Sequence, residues 1–250
     1  MIREGKWQSF LFASVLLAAV TASSVAQEGH HWGYSGANGP DHWAEFSETC
    51  GLGKTQSPID IVHAEKKDLP AIEFAYHSSP LKVINNGHSI QVNYAPGSTI
   101  TLGGKTYELQ QFHFHHLSEN TVNGKHSPME LHLVHKARDG SLAVVAVFLD
   151  EGHSNQTVAT IWDNLPGEME KEYAPDHVEI EAVHLLPANH RYYTFPGSLT
   201  TPPCSEGVTW LVMAKPMTLS KEQIAKFAAI YPNNARPVQP LNGRVVQESK

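Results

Sequence analysis

Two stretches of strict alternation constrain this chain more than anything else in it. The first reads Gln111-Phe112-His113-Phe114-His115-His116-Leu117-Ser118-Glu119, the second Glu130-Leu131-His132-Leu133-Val134-His135. On an extended strand, side chains point alternately to the two faces. His113 and His115 therefore share one face, with Phe112, Phe114 and His116 on the other. On the second stretch Glu130, His132 and Val134 share a face. If the two strands pair as neighbours, three imidazoles converge on one point. Three neutral imidazoles and one open position make a catalytic zinc site. A lone strand histidine is usually a hydrogen-bonded core or surface residue, but a pair at i, i+2 with a third on a Glu-x-His strand is a far stronger signal. Glu130 can accept from the ring nitrogen of His132 that does not meet the metal, which fixes the ligand's tautomer. His116 and His135 point away and read as structural or solvent-facing.

Such strands need a sheet around them. Short alternating runs recur at 71–76, 81–84, 89–94, 99–102 and 106–109, separated by Ser79-Pro80, Asn85-Asn86-Gly87, Pro96-Gly97 and Gly103-Gly104. Residues 142–149 form a valine-rich apolar run, too short for a core helix, that fits a central strand buried on both faces. Further strands are expected at 181–186, 191–195 and 208–214. Two helices are expected, one over 155–164 capped by Ser154, the other over 221–230 opened by a Ser220/Gln223 capping box. No linker or internal repeat interrupts the pattern, and 41% hydrophobic residues suffice for a core. The expectation is one α+β, predominantly β domain: a large central mixed, mostly antiparallel twisted sheet with a few peripheral helices.

The N-terminus reads differently. Arg3 and Lys6 precede an apolar run from Phe10 to Val20, and Ser24-Val25-Ala26 ends in small residues. The run is short for a bilayer span and suits a signal peptide. Residues 1–26 are expected to be cleaved, leaving 27–250 as the domain, with no membrane span after processing. Loss of Arg3, Glu4 and Lys6 takes the net charge from −7 to −8. With no basic cluster, nucleic acid is excluded as a partner. Two cysteines in an exported chain suggest one disulfide, Cys50 to Cys204.

Spacing alone leaves a rival open. His113-x-His115-x-x-x-Glu119 also fits the first motif of the cupin barrels, which would make Glu119 a direct ligand of iron or manganese. The rest of the chain decides between them. The His113/His115 and Glu130-x-His132 segments, Gly197-Ser198-Leu199-Thr200-Thr201-Pro202-Pro203, Trp32-Gly33-Tyr34, Gln56-Ser57-Pro58-Ile59-Asp60, Asn85-Asn86-Gly87-His88 and Arg236-Pro237-Val238-Gln239-Pro240-Leu241 resemble the α-class carbonic anhydrases of exported bacterial type. The matches keep the family's order and cover essentially the whole mature chain.

The resemblance implies reversible hydration of carbon dioxide to bicarbonate and a proton, by attack of zinc-bound hydroxide. It implies one Zn2+ on His113, His115 and His132. Activation of water near neutral pH by zinc is an effect for which this family is itself the reference case. Glu119 and Thr200 carry over as an orienting pair: the carboxylate can only accept, so the threonine hydroxyl donates to it and accepts from the nucleophile. Thr201 carries over as a bicarbonate-positioning residue. Gln111 and Asn234 support ligand imidazoles, Asn234 through its carbonyl. Val134, Val144, Leu199, Val208 and Trp210 match the wall that receives the apolar substrate. His88 corresponds to the proton shuttle, since a histidine with its usual pKa near 6.5 takes up and releases protons near neutrality. Tyr34, Asn86 and Gln91 match the polar positions of the proton-path water network.

Three departures stand out. Gln91 replaces an asparagine, His116-Leu117 replaces Trp-Gly, and Asn120 replaces a histidine, which removes a possible partner behind Glu119. The resemblance also implies inhibition by sulfonamides and small anions, a periplasmic or secreted location, and room for a homodimer, since many bacterial members are dimers. The non-enzyme alternative, a carbonic-anhydrase-like zinc-binding module, is disfavoured by the intact histidines, Thr200 and Glu119.

Overall fold

The long strands form because their sequences alternate or are apolar throughout, and they set the frame for everything else. The computed structural model describes Met1 and residues 31–250; the expected signal segment lies outside the described residues. Six strands make the centre: β1 Ile90–Asn93, β2 Lys105–His115, β3 Met129–Lys136, β4 Leu142–Glu151, β5 Tyr192–Ser198 and β6 Glu206–Met213. Their order across the sheet is β1-β2-β3-β4-β6-β5. Neighbours are antiparallel except β4 and β6, which run parallel. Short strands extend both ends, with Val83–Asn85 and Glu172–Tyr173 beyond β1, and Gln247–Ser249 and Glu65–Lys67 beyond β5. Among the described residues this sheet has 13 strands.

The runs at 106–109 and 111–115 turn out to be one strand. Leu109 pairs with His135 and Gln111 with Val134, so Gln110 is an extra residue in β2. This bulge changes the parity of the side chains. Tyr107 and Leu109 before it, and Phe112 and Phe114 after it, are buried in the same core. The flip puts His113 and His115 on the opposite face.

Each face of the sheet has its own core. One face carries Phe112, Phe114, Leu131, Leu133, Val145, Val147, Leu211 and Met213. Two helices cover it, α2 Gln156–Asp163 and α3 Lys221–Ala228, after the short α1 Glu48–Leu52 near the N-terminus. Trp162 stacks on Phe227 and meets Phe114 edge-on. Its indole N–H donates to the Gln223 carbonyl at 2.9 Å. The other face buries Val144, Ala146, Phe148, Val208, Trp210 and Val212 against Ile59, Ile61 and Phe195. β4 is buried on both sides along most of its length.

Three local expectations are corrected. α2 is capped by Asn155, not Ser154: the Asn155 side chain accepts from the Val158 N–H. Residues 181–186 do not form a strand. Ala182–Leu185 is a 3-10 turn, with Ala182 and Leu185 buried and Val183 and His184 exposed. That is a period of three, which suits the 3-10 geometry and not a pleat. α3 ends at Ala228, two residues early, although its Ser220/Gln223 capping box is present on both sides. The Cys50–Cys204 disulfide is formed and ties α1 to the loop after β5. Residues 31–250 form one compact unit. No helix of the described residues is long and apolar enough to cross a membrane.

Candidate metal centre and active site

The register places the three histidines together. His113 on β2 lies directly across from His132 on β3, and His115 lies across from Glu130. Their rings approach to 5.1 Å (His113–His115), 5.4 Å (His113–His132) and 4.5 Å (His115–His132) between centroids. One nitrogen from each lies within 4.8 Å of the others. The second nitrogen of each ring has an oxygen beside it. His113 Nδ1 donates to Gln111 Oε1 at 2.8 Å, and His115 Nδ1 to the Asn234 carbonyl at 2.8 Å. His132 Nε2 lies 3.1 Å from Glu130 Oε1, though off the line of a well-formed hydrogen bond. These acceptors leave His113 Nε2, His115 Nε2 and His132 Nδ1 turned inward, unprotonated.

The donor set fits a metal dication. His115 Nε2 is buried without a hydrogen-bond partner, which is costly for a polar atom unless something coordinates it. Burial pushes the pKa of all three imidazoles down, and for His113 and His132 the neighbouring histidines push further. They are neutral at physiological pH, the form that binds a metal. Among the described residues this is the one group of three or more such side chains close enough to hold an ion.

Glu119 sits behind the centre, fully buried. Its Oε1 accepts from the Arg236 N–H at 2.9 Å. Its Oε2 lies 3.5 Å from His115 Nε2 and 3.8 Å from His132 Nδ1. Burial pushes its pKa up to about 8, while the Arg236 N–H and the Thr200 side chain pull it back. Thr200 is near enough to act on this carboxylate, yet Oε2 has no fully formed hydrogen bond in this arrangement. A bound dication beside it would hold the carboxylate ionised.

The apolar wall is contiguous. Val144 pairs with Val134 on one side and Trp210 on the other. Val208 is buried with them, and Leu199 packs against the same core. Trp210 meets the His132 ring edge-on at 4.9 Å, and its N–H donates to the Ser198 carbonyl at 3.0 Å. Thr201 follows Thr200 in the loop, where its carbonyl accepts from the Cys204 N–H at 2.8 Å.

His88 stands on the turn after Asn86, whose side chain accepts from the N–H groups of His88 and Ser89. Its ring stacks flat on Trp32 at 3.6 Å and on His31 at 4.8 Å. Burial and His31 lower its pKa to about 4, so the expectation of an ordinary value near 6.5 does not hold in this pose. Gln91 accepts from Asn86 Nδ2 at 3.2 Å and donates to Asn93 Oδ1 at 2.7 Å. Tyr34 is packed edge-on to Trp32 and Trp43, its hydroxyl held neutral by burial and by the charge of Glu119.

Two residues escaped the sequence reading. Arg236 is 3% exposed and donates to Gln56 Oε1, the Ser57 carbonyl and the Cys50 carbonyl, with its guanidinium over Trp43. Its partners Gln56, Ser57 and Cys50 lie far from it in sequence, so the Arg236–Leu241 motif alone does not signal them. Asn120, whose place the sequence marks only as a departure beside Glu119, donates twice to Glu130, at 2.8 Å from its backbone and 2.7 Å from its amide.

Residues 38–250 match the family model described as eukaryotic-type carbonic anhydrase. A carbonic anhydrase of Nostoc sp. is 46% identical over 95% of this chain and 91% of its own. The chain belongs to the α-carbonic anhydrase family. Its relatives are carbonic anhydrases, which are lyases, and the cupin reading is overturned by this family and by the open sheet. A hyperthermostable carbonic anhydrase from a hydrothermal vent chimney superposes with a TM-score of 0.85 at 47% identity, covering 88% of this chain and all of that one. The Thermovibrio ammonificans α-carbonic anhydrase, solved with sulfanilamide, gives 0.84 at 44% identity over 88% of this chain and 99% of that one.

Proposed function

We propose that the protein is an exported zinc enzyme that hydrates carbon dioxide reversibly to bicarbonate and a proton. One observation carries the reading: three neutral imidazoles, each with an oxygen beside its outer nitrogen, aim their inner nitrogens at one point beside an apolar wall. His113, His115 and His132 hold the zinc, which supplies Lewis-acid activation of water at neutral pH.

The chain's own residues do the rest. Glu119, ionised, accepts the Thr200 hydroxyl hydrogen. The Thr200 oxygen then accepts from the O–H of the nucleophile, so a lone pair faces the substrate carbon. Val134, Val144, Leu199, Val208 and Trp210 exclude water where the apolar substrate rests, and Thr201 positions the bicarbonate. Each turnover adds one water to one carbon dioxide and leaves one proton to remove. His88 takes that proton through waters held by Tyr34, Asn86 and Gln91. At a pKa near 4 the stacked ring does not hold a proton at neutral pH, so His88 must leave the Trp32 stack to work. Sulfonamides and small anions would inhibit by competing for the metal site; the Thermovibrio relative was solved in complex with the inhibitor sulfanilamide.

The test is zinc content together with stopped-flow hydration of carbon dioxide. Wild type is expected to hold one zinc per chain. His115→Ala should lose both zinc and activity. His88→Ala should keep its zinc, slow several-fold in dilute buffer and recover with added imidazole. Equal rates for His88→Ala and wild type in dilute buffer would remove the shuttle from this account.

A further inference from the structure

Glu130 is a fully buried carboxylate whose two oxygens are engaged by one residue. The Asn120 backbone N–H donates to Oε2 at 2.8 Å, and its side-chain Nδ2 donates to Oε1 at 2.7 Å. Oε1 is also the oxygen 3.1 Å from His132 Nε2. The Glu119 backbone N–H approaches the same carboxylate.

Asn120 is itself held on the other side. Its Oδ1 accepts from the Ile59 N–H at 3.1 Å, and its carbonyl accepts from the Ser118 hydroxyl at 2.8 Å. That hydroxyl in turn accepts from the Ser127 N–H at 3.0 Å. Asn120 and Glu130 are both 0% exposed, so neither can exchange these partners for water. The position therefore needs a side chain that donates on one side and accepts on the other. An amide does both; a carboxylate only accepts, and a hydroxyl has too little reach.

We propose that Asn120 is a positioning residue for the metal centre: by clamping Glu130 it sets the oxygen that orients the His132 ring, and so lengthens the residence of the metal. The inference rests on the zinc reading above. It gives the buried amide a use that packing alone does not, because a space-filling group would not need its donor aimed at Oε1. Groups one step behind a ligand, as Glu130 is behind His132, are worth about 10- to 100-fold in metal affinity, and Asn120 acts through Glu130.

Asn120→Asp is the discriminating variant. It keeps the size of the side chain and the acceptor for Ile59, but turns an acceptor toward Glu130. The measurement is zinc release from fully loaded protein into excess dipicolinate at neutral pH, compared in the wild-type and Glu130→Gln backgrounds. We expect Asn120→Asp to speed release about 10-fold or more in the wild-type background. In the Glu130→Gln background, where the repelling carboxylate is gone, the factor should fall below about threefold. A residue that merely supports the fold would change release by the same factor in both backgrounds, and that result overturns the proposal. So does release within twofold of wild type. If Asn120→Asp does not yield folded protein, Asn120→Ser is read by the same two comparisons, since it removes the Nδ2 donor and leaves the backbone donor on Oε2. A wild type that takes up no zinc would instead sink the metal reading itself.

Discussion

At the scale of single residues, the site depends on a few buried groups held in one protonation state. His135 shows what this does to stability. It lies on the face of the sheet opposite His113, His115 and His132, buried, with Tyr76 Oη 2.7 Å from its Nε2. Burial lowers its pKa to about 3. The unfolded chain takes up a proton near pH 6.5 that the folded chain refuses until about pH 3. The stability this neutral ring contributes is therefore present above pH 6.5 and is lost as pH falls toward 3, at about 1.4 kcal/mol per pH unit. Urea unfolding of His135→Gln between pH 6.5 and 4 should show a shallower fall than wild type by about that slope. Parallel curves would mean that His135 is not the group refusing the proton. At this scale the sequence was most readable for the three converging histidines, because period two fixes a face. It was least readable for Asn120 and His88. Their behaviour depends on partners far off in sequence: Glu130 and Ile59 for the first, Trp32 and His31 for the second.

Elements bring those residues to one place, and close approach of backbone is part of how they do it. Gly197, near the end of β5, lies against Trp210 and Ser57. A β-carbon there would meet Ser57 Oγ at 2.2 Å and Trp210 Cδ1 at 2.6 Å. The Trp210 indole is fixed by its bond to Ser198, and Ser57 and Ser198 bond each other reciprocally, so neither can yield freely. Gly197→Ala is expected to cost about 1–3 kcal/mol in thermal or urea unfolding, as overpacking does. An unchanged midpoint would contradict this packing account. The capping box of α3 was legible because its two partners sit three residues apart. The bulge at Gln110 was not. Nothing local marks it, and it shows only when β3 provides the register. For the same reason residues 106–109 and 111–115 looked like separate strands. The 3-10 turn at Ala182–Leu185 was hidden because its apolar residues also fit a short extended run. Its period of three appears only once burial is known.

The whole molecule joins segments distant in sequence around the loop that carries Thr200 and Thr201. The Cys50–Cys204 disulfide spans 154 positions and places α1 beside Thr200–Cys204, with Ser47 also donating to the Pro203 carbonyl at 3.0 Å. Arg236 adds a second tie between the C-terminal segment, Gln56, Ser57 and Cys50. A crosslink over so long a loop restricts the unfolded chain strongly, by about 5 kcal/mol in the chain-entropy model, with measured losses usually about 2–5 kcal/mol. The Cys50→Ser/Cys204→Ser double variant should lose stability within that range in urea, and reductant should not destabilise it further. Equal stability of the double variant and wild type would show that Arg236 and the core hold the loop without the crosslink. The mixed, mostly antiparallel sheet was legible at this scale from the density of short strands and the valine-rich 142–149 run. The order of its strands was not, since β4 beside β6 is a parallel pairing that no hairpin announces.

On the proposed function, zinc on His113, His115 and His132 makes this protein a carbon dioxide hydratase. The most direct test is stopped-flow hydration followed while chelator-stripped protein is titrated with zinc. Negligible activity is expected in the stripped protein, followed by a linear rise that stops at one zinc per chain. A protein that takes up one zinc and still does not hydrate carbon dioxide would contradict that function, as would a stripped protein that keeps its full rate.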